Sequence, residues 1–394
     1  MLGEIGGWES SMTLMLGILL GLFVLVLLVV LHELGHAIVA RRNGVVVEEF
    51  GIGFPPRAWK KKLKNGVLFT INWLPIGGFV KLKGEHDSAR GEGSYGAASF
   101  WVKTKILLAG VLINWLTAAL LFTMLALVGL PKLIDNQVRL PFDTRIEQSP
   151  LMVAQVTSDS PAARAGLQVD DEIVKIDAVN IESAKQLSET TKSRAGETVN
   201  IAYVRDGVAR EVAATLNTPE RAKNGGYLGV TSSQAIEKSY STWSAPIAGV
   251  ATAGQLTYET INGVGTMLVK SIGGFFGQFV GSESERAAAK TDMAWVGENV
   301  AGPVGILGVL FPSVVDSGLT QIVLLAAIIS LTLAVMNVLP IPALDGGRWF
   351  TMALFRLFKK PLTKEREENI QAIGFLTLMT LTILVTWNDI AKLF

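Results

Sequence analysis

The chain has 394 residues, 49% of them hydrophobic and only 18% charged, and its formal net charge is +1. A soluble protein of this length would carry more surface charge, and a near-neutral balance gives no reason to expect a nucleic-acid partner. Cysteine is absent, which excludes disulfides, thiolate metal ligands and a cysteine nucleophile, so any imidazole chemistry must draw on His32, His36 and His86.

A helix needs about 20 apolar residues to cross a bilayer. The first such stretch, Met12 to Leu31, is uncharged and runs on into His32-Glu33-Leu34-Gly35-His36, predicting one helix over residues 12–40. No basic residue precedes it and no small-residue cleavage site follows, so it reads as a retained helix and not as a signal peptide. The following loop carries Arg41, Arg42, Arg57, Lys60, Lys61, Lys62 and Lys64, then Lys81, Lys83 and Arg90, which marks it as cytoplasmic. Within a β-region over 45–90, Gly66 to Trp73 reads as a strand, Pro75 to Gly78 as a turn and Phe79 to Leu82 as a second strand, a membrane-associated hairpin. A second uncharged helix over 106–130 completes an N-terminal membrane domain, residues 1–130.

Residues 140–232 change character. Val153 to Val156 reads as a strand. Ser160 to Leu167 reads as a short helix, opened by a serine cap with proline next to it and ended by Gly166. Strands follow at Asp171 to Asp177, Thr198 to Arg205 and Ala209 to Leu216, the last two joined through Asp206-Gly207, with a helix over 184–194. This order resembles a bacterial PDZ domain, an α+β fold. Asp170 stands where glycine is common in such domains, and Ala178 replaces a second turn glycine. Residues 243–316 are mixed, and read as an amphipathic, interfacial connecting region. The C-terminal membrane domain, 317–394, holds a third helix over 317–345 and a fourth over 370–388. Arg356, Lys359, Lys360, Lys364 and Arg366 lie between them and mark that loop as cytoplasmic too. The fold class is therefore an α-helical polytopic membrane protein of four spans, with both termini and the inserted domain outside the cytoplasm.

His32 and His36, four apart, share one face of a helix, so two imidazoles can hold one metal ion while Glu33 reaches a water beside it. A chance match on a helix surface is the bland alternative. Ionisable groups are costly at the end of an apolar helix, and that favours function. A catalytic zinc wants three protein ligands and an open position. His86 falls in a polar loop. Asp345 stands beside Pro340, Pro342, Gly346 and Gly347, which must break the third helix, and a lone carboxylate there needs a partner. A metal would supply one. A helix-end aspartate facing the headgroups is the alternative.

Together, the HELGH run, the segment Asn337 to Gly347 (NVLPIPALDGG) and the inserted PDZ-like domain resemble the site-2 protease family of intramembrane zinc metalloproteases, closest to the regulator-of-sigma-E protease branch. The resemblance covers nearly the whole chain. It implies Zn2+ held by His32, His36 and Asp345, with Glu33 as catalytic base. It implies substrate contacts at Asn337, Pro340 and Pro342, and at Asn114 from Gly110-Val-Leu-Ile-Asn114, where Val111 departs from the usual proline. It also implies single-pass membrane proteins as substrates, such as anti-sigma factors or remnant signal peptides, and the bacterial cytoplasmic membrane as the location, with the active site towards the cytoplasm. In the family a similar sheet dips towards the metal and can take an unwound substrate by β-addition, although an ordinary headgroup hairpin would look the same. The PDZ-like domain suits either peptide capture or steric gating. An inactive PDZ-bearing scaffold is the competing function, and oligomeric state is not legible.

Overall fold

Proline-free sequence, apolar and uncharged from Met12 to Leu31, forms one helix, α1, over Leu2–Arg42. The chain then turns into two long strands, β1 (Val47–Lys62) and β2 (Leu68–Leu82), and enters α2 (Phe100–Val128). The computed structural model describes residues 2–222, 226–232, 237–277, 282–299, 302–315 and 317–391. Parts of the expected inserted domain (223–225), connecting region (278–281, 300–301 and 316) and C-terminal domain (392–394) lie outside the described residues. The chain divides into two compact units, Met1–Val128 with Ala245–Phe394, and Gly129–Ser244.

In the first unit, β1 and β2 are each bent, so two elements make four strand segments. Residues 57–62 pair antiparallel with 68–72, residues 68–71 also pair with 49–52 in parallel register, and 47–52 pair in turn antiparallel with 78–82. Residues 78–82 therefore form an edge, with no further strand beyond them among the described residues. β2 lies against α1. The sheet, the end of α1 and the start of α2 share a core of Ala37, Ala40, Val45, Val47, Tyr95 and Ile106.

Beyond the inserted unit the chain forms α5 (Ala245–Gly277), which runs along α2 and along the later helix Leu319–Val338, and α6 (Glu283–Asn299). A broken segment follows: α7 (Pro303–Gly305), a wide turn at Ile306–Leu310 and α8 (Phe311–Val315). Phe311 is fully buried, packed with Val24 and Leu28 of α1. The chain ends in α9 (Leu319–Val338), α10 (Asp345–Leu357) and α11 (Lys364–Ala391). Among the described residues, four helices are long and apolar enough to cross a membrane: Met12–Arg42, Phe100–Val128, Leu319–Val338 and Lys364–Ala391. Large apolar side chains such as Phe23, Leu116, Leu120, Ile383 and Trp387 point outwards from them, as expected where lipid is the solvent.

The third helix is shorter than the sequence suggests. α9 stops at Val338, and Asp345 does not end it but opens α10. Pro340 and Pro342 supply no N–H and bar the helix from continuing. The intervening loop is tight. A methyl at Gly346 would lie 2.3 Å from the Val338 carbonyl, and one at Gly347 1.9 Å from that of Ile341, so only glycine lets α10 start against the end of α9.

The second unit is built from β3 (Leu130–Pro131), β4 (Arg145–Gln148), β5 (Val153–Val156), α3 (Pro161–Ala165), β6 (Glu172–Ile176), β7 (Val179–Asn180), α4 (Ala184–Ser193), β8 (Thr198–Arg205), β9 (Val208–Thr215), β10 (Val230–Ser232) and β11 (Glu237–Tyr240). They form a four-stranded sheet, β7-β6-β8-β9, a β10-β5 pair and a small β3-β11-β4 sheet. Val153, Ile173, Ile176, Val199 and Ile201 centre its core. The Ser160 hydroxyl accepts the Ala163 N–H at 3.1 Å and Gly166 closes α3 at φ +80°, which is the cap pair the sequence implies. Asp170 takes φ +68°, the left-handed conformation that glycine would supply and that aspartate tolerates better than most residues.

Candidate metal centre

Helix spacing puts His32 and His36 one above the other on α1, and both rings are buried. The start of α10 brings Asp345 to them across more than 300 residues of sequence. His32 Nε2 stands 3.0 Å from Asp345 Oδ2 and 3.1 Å from His36 Nε2, and the third edge, His36 Nε2 to Asp345 Oδ2, is 3.2 Å. These three form the one group of potential metal donors found among the described residues.

The triangle suits zinc. A tetrahedral ion with bonds of about 2.0–2.1 Å spaces its donors about 3.3 Å apart, close to all three edges. His36 donates its Nδ1–H to the Ile106 carbonyl at 2.7 Å, which leaves the Nε2 lone pair for a metal. α2 passes directly behind both rings. A methyl at Gly110 would fall 2.5 Å from His36 Nε2 and 2.6 Å from His32 Cε1, so the imidazoles occupy the space that a side chain there would fill. The same close approach appears at the adjacent residues, where a methyl at Gly35 would meet the Ala109 carbonyl at 2.8 Å.

Glu33 lies within electrostatic reach of His32, His36 and Asp345, and the backbone N–H of Val80 hydrogen-bonds its carboxylate. Val80 belongs to the edge segment of the sheet. A methyl on its neighbour Gly78 would come 3.6 Å from Glu33 Cγ. The edge therefore runs beside the carboxylate.

The remaining candidates divide. Asn114 is buried against His32, its amide nitrogen 3.4 Å from Nδ1. Asn337 is half-buried and donates to the Leu333 carbonyl of its own helix at 2.9 Å. Pro340 is exposed, whereas Pro342 packs so closely on α11 that a methyl at Gly374 would sit 2.3 Å from its Cβ. His86 faces Glu368 at 3.5 Å and is not part of the triangle.

Two supporting residues escaped the sequence reading. Arg348, one turn after Asp345, reaches the Glu85 carbonyl and pairs with Glu367 at 3.2 Å, and it lies over the Tyr95 ring at 4.9 Å. Burial works against its charge, but Tyr95, Glu367 and Glu85 hold its basicity above the usual value. Glu367 also accepts the Asp87 N–H at 2.8 Å, so the loop after the sheet is clasped to the helix that carries Asp345. Asp389 of α11 accepts the Gly305 N–H at 2.8 Å and so caps the broken segment before α9. An arginine near a helix start and an aspartate near a chain end carry no spacing signal, which is why neither stood out.

Comparison with known proteins agrees with this geometry. A family model, Peptidase family M50, matches residues 20–381. Zinc metalloprotease RasP of Geobacillus kaustophilus is 27% identical over 448 residues, covering 93% of this chain and 96% of that protein. Regulator of sigma-W protease RasP of Bacillus subtilis is 27% identical over 451 residues, covering 93% of this chain and 96% of its own length. Among solved structures, the PDZ domain of an SdrC-like protein from Listeria monocytogenes aligns at 26% identity and a TM-score of 0.19, over 24% of this chain and 93% of that one. The chain belongs to peptidase family M50, the site-2 protease family, and is a zinc metalloprotease.

Proposed function

We propose that the chain is an intramembrane endopeptidase of the bacterial cytoplasmic membrane, cutting transmembrane segments of single-pass proteins such as anti-sigma factors or remnant signal peptides. The observation that carries this reading is the meeting of His32, His36 and Asp345 beside Glu33, on helices whose outer faces are apolar. His32, His36 and Asp345 hold Zn2+, which when bound acidifies water and polarises a carbonyl. Glu33 takes the proton of the attacking water and delivers it to the amide nitrogen that leaves.

A substrate helix hides its amides in its own hydrogen bonds and must unwind before cleavage. The edge at 78–82 has no strand beyond it among the described residues and can take an extended segment alongside it, with its neighbour Glu33 then at the scissile bond. Asn337, with Pro340 and Pro342 in the loop before Asp345, contacts the substrate on the opposite side. The basic loops face the cytoplasm, and residues 140–232 form a PDZ domain on the outer face that captures peptide or limits access. Residues 1–130 and 317–394 supply the membrane core, joined by 243–316. The partner named for the Bacillus subtilis relative, the sigma-W system, supports a transmembrane regulator as the substrate class.

The decisive experiment compares native chain with Glu33→Gln in vesicles, using a single-pass reporter substrate. The glutamine variant should insert, retain about one zinc per chain and cut at least about 100-fold more slowly. Normal cleavage by Glu33→Gln, or by His32→Ala, would overturn the mechanism and favour a scaffold.

A further inference from the structure

Asn114 is 1% exposed in the middle of α2. Its backbone carbonyl accepts a hydrogen bond from the Ser330 hydroxyl of α9 at 2.8 Å, so its position is tied to two helices. Its side-chain nitrogen lies 3.4 Å from His32 Nδ1, while its buried Oδ1 meets no hydrogen-bond partner among the described residues. The two facts conflict once a metal is bound. With Nε2 of His32 given to a metal, the neutral ring carries its proton on Nδ1. An amide N–H then faces a ring N–H, donor against donor, and the acceptor points away unpaired. A half-turn of the carboxamide exchanges oxygen for nitrogen in the same space, and the two orientations are nearly indistinguishable by shape.

We infer that Asn114 Oδ1 accepts the Nδ1–H of His32, which makes Asn114 a positioning residue for a zinc ligand and not a contact of the substrate. His36 already has this arrangement through the Ile106 carbonyl. Ile106, Gly110 and Asn114 are spaced by four, one stripe of α2. Along that stripe a backbone carbonyl orients one imidazole, a bare Cα makes room for both, and a side-chain amide orients the other. The stripe builds the outer layer of the metal site from a single helix face. This inference rests on the zinc site proposed above.

The test uses the full chain in micelles, stripped of metal and titrated with zinc alone against a competing chelator. Asn114→Leu should weaken zinc binding about 10- to 100-fold, whereas Asn114→Asp, which keeps an acceptor oxygen in place, should stay within about threefold of the native chain. In a His32→Ala background, Asn114→Leu should add no further loss, because it acts through that ring. Excess zinc should restore cleavage by Asn114→Leu, which it would not do for a lost substrate contact. Native zinc affinity in Asn114→Leu overturns the inference. So does equal loss in the leucine and aspartate variants, or an undiminished leucine penalty without His32. If Asn114→Leu fails to fold, the aspartate variant and its combination with His32→Ala decide. A native chain that binds no zinc would bring down the metal site itself, an outcome distinct from a zinc-binding chain indifferent to position 114.

Discussion

The space behind the two imidazoles is set by one missing side chain. Gly110→Ala would drive a methyl into His36 Nε2 and His32 Cε1, at 2.5 and 2.6 Å, and neither ring can retreat without leaving the triangle. Zinc affinity should fall at least about 100-fold with the helices intact, a loss at or beyond the upper end of what outer-layer changes produce, and metal content after dialysis will read it. Sequence alone marks position 110 only as the start of a glycine-to-asparagine run, because spacing on one helix says nothing about what lies opposite. The histidines and Glu33 were legible for the opposite reason: all three sit within one helical turn. Asp345 was legible through the cost of a lone carboxylate beside a helix break, although its place at the start of a new helix was not.

Among the elements, the edge at 78–82 and the clasp on α10 carry separate predictions. Val80→Pro removes the N–H that meets Glu33 and places a ring where an incoming strand would pair, while an edge position tolerates proline. Cleavage should drop at least about tenfold with zinc content unchanged, and a drop in both would point to a distorted site instead. Arg348→Ala leaves Glu367, 3% exposed, without its cation, at a cost of about 3 kcal/mol that denaturant unfolding in micelles will measure. The two strand segments within 66–82 could be read from alternation, but the hairpin expected between them does not form: they lie on either side of residues 47–52 and pair with those instead. Their partner β1 could not be read, because Gly51, Gly53, Pro55 and Pro56 and the lysines at 60–62 interrupt any period-two pattern. α10 was hidden as well, since its first residues read as the tail of the preceding apolar run.

At the scale of the whole molecule, the inserted unit has its own acid limit. Asp171, fully buried, takes two hydrogen bonds from Arg205 at 2.6 and 2.7 Å. Burial opposes its charge, but Arg205 and the Gln168 N–H outweigh it and hold the carboxyl below the usual aspartate range. A depressed carboxylate contributes stability that is present above the unfolded value, about 3.9, and is lost as pH falls through the folded one. Protection of the amides in β6 and β8 of the full chain, relative to their intrinsic exchange rate at each pH, should therefore fall on acidification below about pH 4, and Asp171→Asn should show lower protection at neutral pH with little further change in acid. Most of this unit was legible from caps and turn pairs. The β3-β11-β4 sheet was not, since strands of two to four residues drawn from both ends of the insertion carry no periodicity.

The order of the donors along the chain has a consequence for biosynthesis. Two donors emerge from the ribosome early, at positions 32 and 36, and the third arrives only at 345, after the inserted unit and most of the helices. Every chain shorter than 345 residues therefore lacks the third donor of the triangle, and the two imidazoles wait for it.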